Sequence, residues 1–184
     1  MILQGEILSH LLVTFIYFLL VSILRWKLDF SLFWLWVGAL LGTFFLDLDH
    51  LLYWFYLHPD EPDSQEAQRV WREKRTEGLG ELKEILEKSH HTHLRLIFHT
   101  AVFQVVLIIL AFYIVSSGGS ILASSFVMAI NLHLLKDEWS VYKVDRTGLV
   151  DWLFWQVKGI PMEKYLDLYL FGTSLAFLGL TILI

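Results

Sequence analysis

SLFWLWVGALLGTFFLDLDHLLYWFYL, residues 31–57, is uncharged except at Asp47-Leu48-Asp49-His50. An unbroken apolar run of this length reads as a helix in hydrocarbon, which needs about 20 residues. Ionisable side chains at membrane depth cost about 2.5 kcal/mol or more each unless paired, hydrated or bound to a cation. Two carboxylates and an imidazole at that place therefore need a partner, and a metal ion is the simplest one.

The rest of the chain repeats the pattern. Further apolar runs cover residues 7–24, 94–115, 120–135 and 165–184, with the second run spanning 31–46 and its extension to residue 57. Hydrophobic residues make up 56% of the 184, and mean hydropathy is +0.56; a soluble domain is usually about 45 to 50% apolar. The expected fold is all-α: a single polytopic membrane bundle over residues 1–184, with about five transmembrane helices plus cytoplasmic amphipathic helices. The first run lacks a basic leader and a small-residue cleavage site, so it reads as a retained span.

The chain has no cysteine, which excludes disulfides, thiolate metal sites and a thiol nucleophile together. Net charge is −5, and no basic stripe interleaved with aromatics is present, which argues against nucleic acid as a partner. Membrane lipids are the expected partners, and the sequence leaves room for a homo-oligomer. With five spans, twelve of the fourteen Lys and Arg fall on the side holding the N-terminus and the two larger inter-span segments. Enrichment of Lys and Arg marks cytoplasmic loops, so that side is predicted to be cytoplasmic and the C-terminus external.

Residues 59–89 form a charged insert. Leu79, Leu82, Ile85 and Leu86 recur at helical spacing while Glu81, Lys83, Glu84, Glu87 and Lys88 point away, with Gly78 and Gly80 dividing two surface helices. The insert reads as a solvated or interface-lying connector, with a lid over a site as the sharper alternative. Residues 148–164 are too interrupted to span but rich in Trp and Leu, and read as an amphipathic segment along the interface. Gly38 and Gly42 make a small-xxx-small pair that admits close approach of a neighbouring helix.

All eight histidines fall toward the predicted cytoplasmic side. His10 is near the start of the first span, Asp47, Asp49 and His50 near the exit of the second, His99 about one turn into the third, and His133 about one turn before the end of the fourth. His133 and Asp137 are spaced i, i+4 and share a helix face, so they can bridge a cation. Asp47 and His50, at i, i+3, also share a face. His93 and His99 do not, and both serve one metal only if the helix begins between them. His58, His90 and His91 lie in polar surroundings and read as solvated.

The candidate ligands are thus His10, Asp47, Asp49, His50, His93, His99, His133 and Asp137. Imidazole and carboxylate without thiolate suit Zn²⁺ first, with Mn²⁺ or Fe²⁺ as alternatives. The number of ligands exceeds one tetrahedral ion, and a site of two or three metals about 3.5 to 4 Å apart would clamp a phosphoryl or acyl group for attack by water. Asp47 and Asp49 are the candidate catalytic carboxylates, Asp47 as general base. Arg95 and Lys136 lie where they can hold a phosphate headgroup. Two rivals use the same residues: a non-catalytic site tying helix ends together, and a divalent-cation transporter. Transport is the weaker of these, because the polar groups gather at one end of the spans and no internal repeat is visible.

The order of these motifs resembles the membrane-bound metal-dependent hydrolase family, small inner-membrane proteins long grouped as a domain of unknown function. Its pattern has an early His in the first span, Asp-x-Asp-His ending the second, a His motif opening the third and a late His-x-x-x-Asp. The matching residues are His10, Asp47-Leu48-Asp49-His50 and His133-Leu-Leu-Lys-Asp137. The family's His-Arg-x-x-Thr-His-Ser motif is not intact: His91-Thr92-His93 with Arg95, and Phe98-His99-Thr100, each match part of it. The order of ligands is also similar to that of the helical zinc-dependent phospholipase C and nuclease group. The first resemblance implies an inner-membrane, metal-dependent hydrolase, and the second implies phosphodiester or phospholipid substrates.

Overall fold

The computed structural model describes residues 2–27, 29–89 and 95–184, and among these every regular element is helical. In chain order they are α1 (Ile2–Arg25), α2 (Ser31–Phe45), α3 (Leu48–Leu52), α4 (Pro62–Lys74), α5 (Leu79–Ser89), α6 (Ala101–Ser116), α7 (Ile121–Tyr142), α8 (Arg146–Phe154) and α9 (Leu166–Leu183). Among the described residues, three stretches are long and apolar enough to cross a membrane: Ile7–Arg25, Ser31–Leu57 and Met162–Leu183. The expected five are not reached by length and composition. Helix α6 has only 16 residues, and α7 carries Lys136, Asp137 and Glu138 in its last third.

The apolar runs become helices because their sequences contain no proline, and side chains set their ends. Asp29 accepts from the Ser31 amide at 2.8 Å where α2 begins. Thr100 caps α6 by accepting from the Phe103 amide at 3.2 Å, and Asp145 caps α8 through the Gly148 amide at 2.9 Å. Each such bond satisfies one of the donors a helix start leaves unpaired.

Helix α7 is the axis of the bundle and packs against α1, α2, α6, α8 and α9. Phe18, Leu35, Ala39, Leu107, Met128, Leu134 and Phe177 are buried around it. The outer faces stay apolar, with Phe15, Leu40, Ile109, Phe112, Phe171 and Leu178 exposed, as membrane insertion requires. A bilayer would offer no hydrophobic drive to pair such helices, which would leave the pairing to close backbone approach. At α2–α7 that approach is extreme: a Cβ on Gly38 would lie 2.2 Å from Ser125 Oγ and 2.3 Å from the Leu122 carbonyl, and one on Gly42 would lie 2.4 Å from the Phe126 carbonyl. Hydroxyl pairs add stitching, Thr14 to Thr43 at 2.9 Å and Tyr17 to Thr181 at 2.9 Å.

The 59–89 insert does form two helices. They are more than a solvated connector: Ala67, Val70, Leu82 and Ile85 close over Tyr53, Trp54 and Leu96 in a second small core. Trp54 Nε1 donates to Asp63 at 3.2 Å, and Gln68 Nε2 donates to the Trp54 carbonyl at 2.7 Å. The 148–164 segment begins with α8, whose Leu149, Leu153 and Phe154 are buried against Ala101, Leu166 and Leu170 at the feet of α6 and α9. Nine residues give about 13 Å of helix, too short to re-enter and cross.

Candidate metal centre

His133 and Asp137 occupy one face of α7, with Nε2 and Oδ2 3.1 Å apart. The α2–α7 contact at Gly42 brings the neighbouring Thr43 carbonyl to 2.7 Å from His133 Nδ1. A carbonyl can only accept, so Nδ1 carries a hydrogen and Nε2 is turned toward Asp137, where it donates to the carboxylate as an imidazolium or, as the neutral ring, offers its lone pair to a cation between them. A backbone carbonyl fixing the far nitrogen is the usual support of a metal-ligating histidine.

Helix α1 completes the trio. His10 Nε2 lies 3.1 Å from Asp137 Oδ1, and the His10 ring leans on that of His133 with centroids 3.8 Å apart. One donor atom from each of His10, His133 and Asp137 lies within 4.8 Å of the others. A fourth side chain reaches in: Lys136 Nζ is 2.8 Å from His10 Nε2 and 3.2 Å from Asp137 Oδ1.

A second polar group adjoins the trio. Asp49 is fully buried, and its carboxylate accepts from the backbone amides of Ile97 at 3.2 Å and Phe98 at 2.6 Å. His99 Nδ1 lies 3.3 Å from Asp49 Oδ2. The His99 ring is 6.1 Å from that of His133 and 6.2 Å from that of buried His50. Trp152 of α8 covers it from the other side at 5.7 Å. Asp47 is half-buried in the turn between α2 and α3.

His10, His133 and Asp137 gather closely; Asp49, His50 and His99 form the next layer. His99 lies just before α6, because that helix starts at Ala101 and not near residue 94, so helical phase does not govern its direction. His93 lies outside the described residues, as do His90 and His91. Arg95 is exposed on the segment leading to Ile97. His58 packs its ring on Tyr53 at 4.6 Å, apart from the cluster.

A buried triad beside Asp137 escaped the sequence reading. Glu138 accepts from Gln104 Nε2 at 3.2 Å, and the Tyr169 hydroxyl sits between Gln104 Oε1 and Glu138 Oε1, 3.2 Å from the latter. Glu138 and Gln104 are fully buried. A carboxylate next to Asp137, and a lone amide inside the apolar run of α6, were the available signals.

No family model, curated protein or solved structure matches the chain.

Proposed function

We propose that this chain is a membrane-embedded, metal-dependent hydrolase whose site opens at the cytoplasmic end of the bundle and acts on a phospholipid or lipid-linked phosphoester. The observation that carries the reading is the trio His10, His133 and Asp137, with His133 Nε2 turned toward Asp137 by the Thr43 carbonyl. Two imidazoles and a carboxylate without thiolate fit a divalent transition ion, zinc before manganese or iron.

When bound, the ion supplies Lewis acidity toward a phosphoryl oxygen. The remaining work belongs to the protein. Asp49 orients His99 and anchors the segment before α6, so that His99 and His50 adjoin the trio as candidates for a second ion. Asp47, in the turn before α3 and bearing none of the amide hydrogen bonds that hold Asp49, takes the proton from attacking water. Arg95 and Lys136 supply positive charge for the anionic substrate.

The test is metal content of the purified protein together with turnover on a panel of phospholipids and lipid phosphates. About one equivalent of transition metal or more per chain is expected, with both metal and hydrolysis lost in His133→Ala and Asp137→Asn. Less metal than that refutes the site. A non-catalytic polar staple is the second reading, favoured by Lys136 already neutralising Asp137. It predicts that His133→Ala unfolds the helix ends and that no substrate turns over.

A further inference from the structure

Two claimants meet at one lone pair. In the Nδ1–H tautomer of the neutral ring, His10 Nε2 carries one lone pair, which can accept from Lys136 Nζ 2.8 Å away, and the same Nζ lies 3.2 Å from Asp137 Oδ1. These atoms belong to two of the three residues that the proposed centre needs for its ion. A lone pair bonded to an ammonium hydrogen cannot at the same time bind a metal, and two cations held by one carboxylate repel each other. Lysine's charge rides on a flexible four-carbon stem, and this side chain is 14% exposed, so it has a way out.

We propose that Lys136 is a placeholder cation: it fills the centre before loading, leaves when a divalent ion enters, and in its displaced position holds an anionic oxygen of the substrate. The inference rests on the metal reading above and adds the order of occupancy: Lys136 reaches the substrate anion only after the metal has displaced it from the centre. No covalent bond changes; one hydrogen bond and one ion pair are exchanged for metal ligation. The two roles of Lys136 have opposite signs, since it competes with the cation and attracts the anion. A residue serving only to support the fold would weaken both.

The experiment uses the full chain in lipid nanodiscs. Co²⁺ is titrated into wild type and Lys136→Gln, and inorganic phosphate or a short-chain phosphatidate is then titrated into each Co²⁺-loaded protein. K136Q is expected to bind Co²⁺ about ten- to a hundredfold more tightly, the scale of removing a like charge a few ångströms away in a partly buried site, and to bind the anion about tenfold more weakly. The two anions tell a free phosphate from a lipid headgroup by which binds wild type more tightly. A parallel measurement needs no variant: reductive methylation of Lys136 in wild type, followed by mass spectrometry, should speed up severalfold when Co²⁺ is added. Equal or weaker Co²⁺ binding by K136Q, unchanged anion affinity, or methylation indifferent to Co²⁺ overturns the proposal. Equal Co²⁺ binding by both proteins leaves the metal reading standing, whereas failure of folded wild type and K136Q alike to bind Co²⁺ removes both.

Discussion

Substituting Gly42 by alanine tests whether helix packing sets the proposed metal centre. The added Cβ would sit 2.4 Å from the Phe126 carbonyl oxygen and 2.8 Å from Ala129 Cβ, where ordinary contact begins at 3.4 Å. Neither obstacle is the end of a flexible side chain, so α2 must retreat from α7 by about 1 Å. Thr43 follows Gly42 directly, and a retreat of that size takes its carbonyl from 2.7 Å to roughly 3.7 Å from His133 Nδ1, beyond hydrogen-bond range. Overpacking of this kind costs about 1 to 3 kcal/mol of stability. Losing the group that orients a ligating histidine lowers metal affinity about 10- to 100-fold.

The measurement is thermal unfolding and Zn²⁺ titration of Gly42→Ala beside Gly172→Ala and Gly179→Ala, all in one detergent. A Cβ on Gly172 or Gly179 meets nothing within 4 Å, so those variants should be neutral or gain up to about 1 kcal/mol from helix propensity. Zn²⁺ affinity of G42A equal to that of G172A would refute the coupling. Loss of stability without loss of affinity would show that the Thr43 carbonyl is not what orients His133.

Three further outcomes follow from other contacts. Asp49→Ala removes the acceptor of the Ile97 and Phe98 amides, at about 1 to 3 kcal/mol for each donor left without a partner; hydrogen exchange across residues 95–104 should accelerate, and unchanged exchange would contradict the anchoring role. Tyr169→Phe withdraws the hydroxyl between Gln104 and Glu138 and should lower unfolding stability by about 1 to 3 kcal/mol, with Zn²⁺ affinity altered far less than in Asp137→Asn. Ile85→Ala opens a cavity in the small core of α4 and α5, costing about 2 to 5 kcal/mol; faster proteolysis confined to residues 59–89, with metal affinity unchanged, is expected, and equal loss of both would mean that the hairpin and the centre unfold as one unit.

The residues that were legible in the sequence are those whose position answers to a period or to a desolvation cost. His133 and Asp137 are four apart on one helix, and no packing can separate them. Asp49 and His50 sit in an apolar run, where an unpartnered charge is too costly to persist. The membrane-length helices at residues 7–25 and 31–57 likewise follow from local composition. His99 shows where this logic stops. Its apolar neighbours suggested a helix from residue 94, but the Asp49 carboxylate takes the amides of Ile97 and Phe98, and Thr100 caps a helix that begins only at Ala101. A side chain from 48 residues upstream fixes that boundary, and no local window contains it.

The same distinction separates the two aspartates. In sequence, Asp49 and Asp137 are equivalent candidates, each close to a histidine in an apolar setting. In the fold, Asp49 meets two backbone donors besides His99, which hold it in a supporting place, whereas among the described residues Asp137 meets the side chains of His10, His133 and Lys136. Backbone amides are fixed in place by the fold, so a carboxylate bonded to them is poorly available for exchange. Side-chain partners can rotate away and yield to an ion. A carboxylate's capacity to take up a metal thus depends on which of its present partners can leave, and at Asp137 the ammonium of Lys136 is the one with a flexible stem and a route outward.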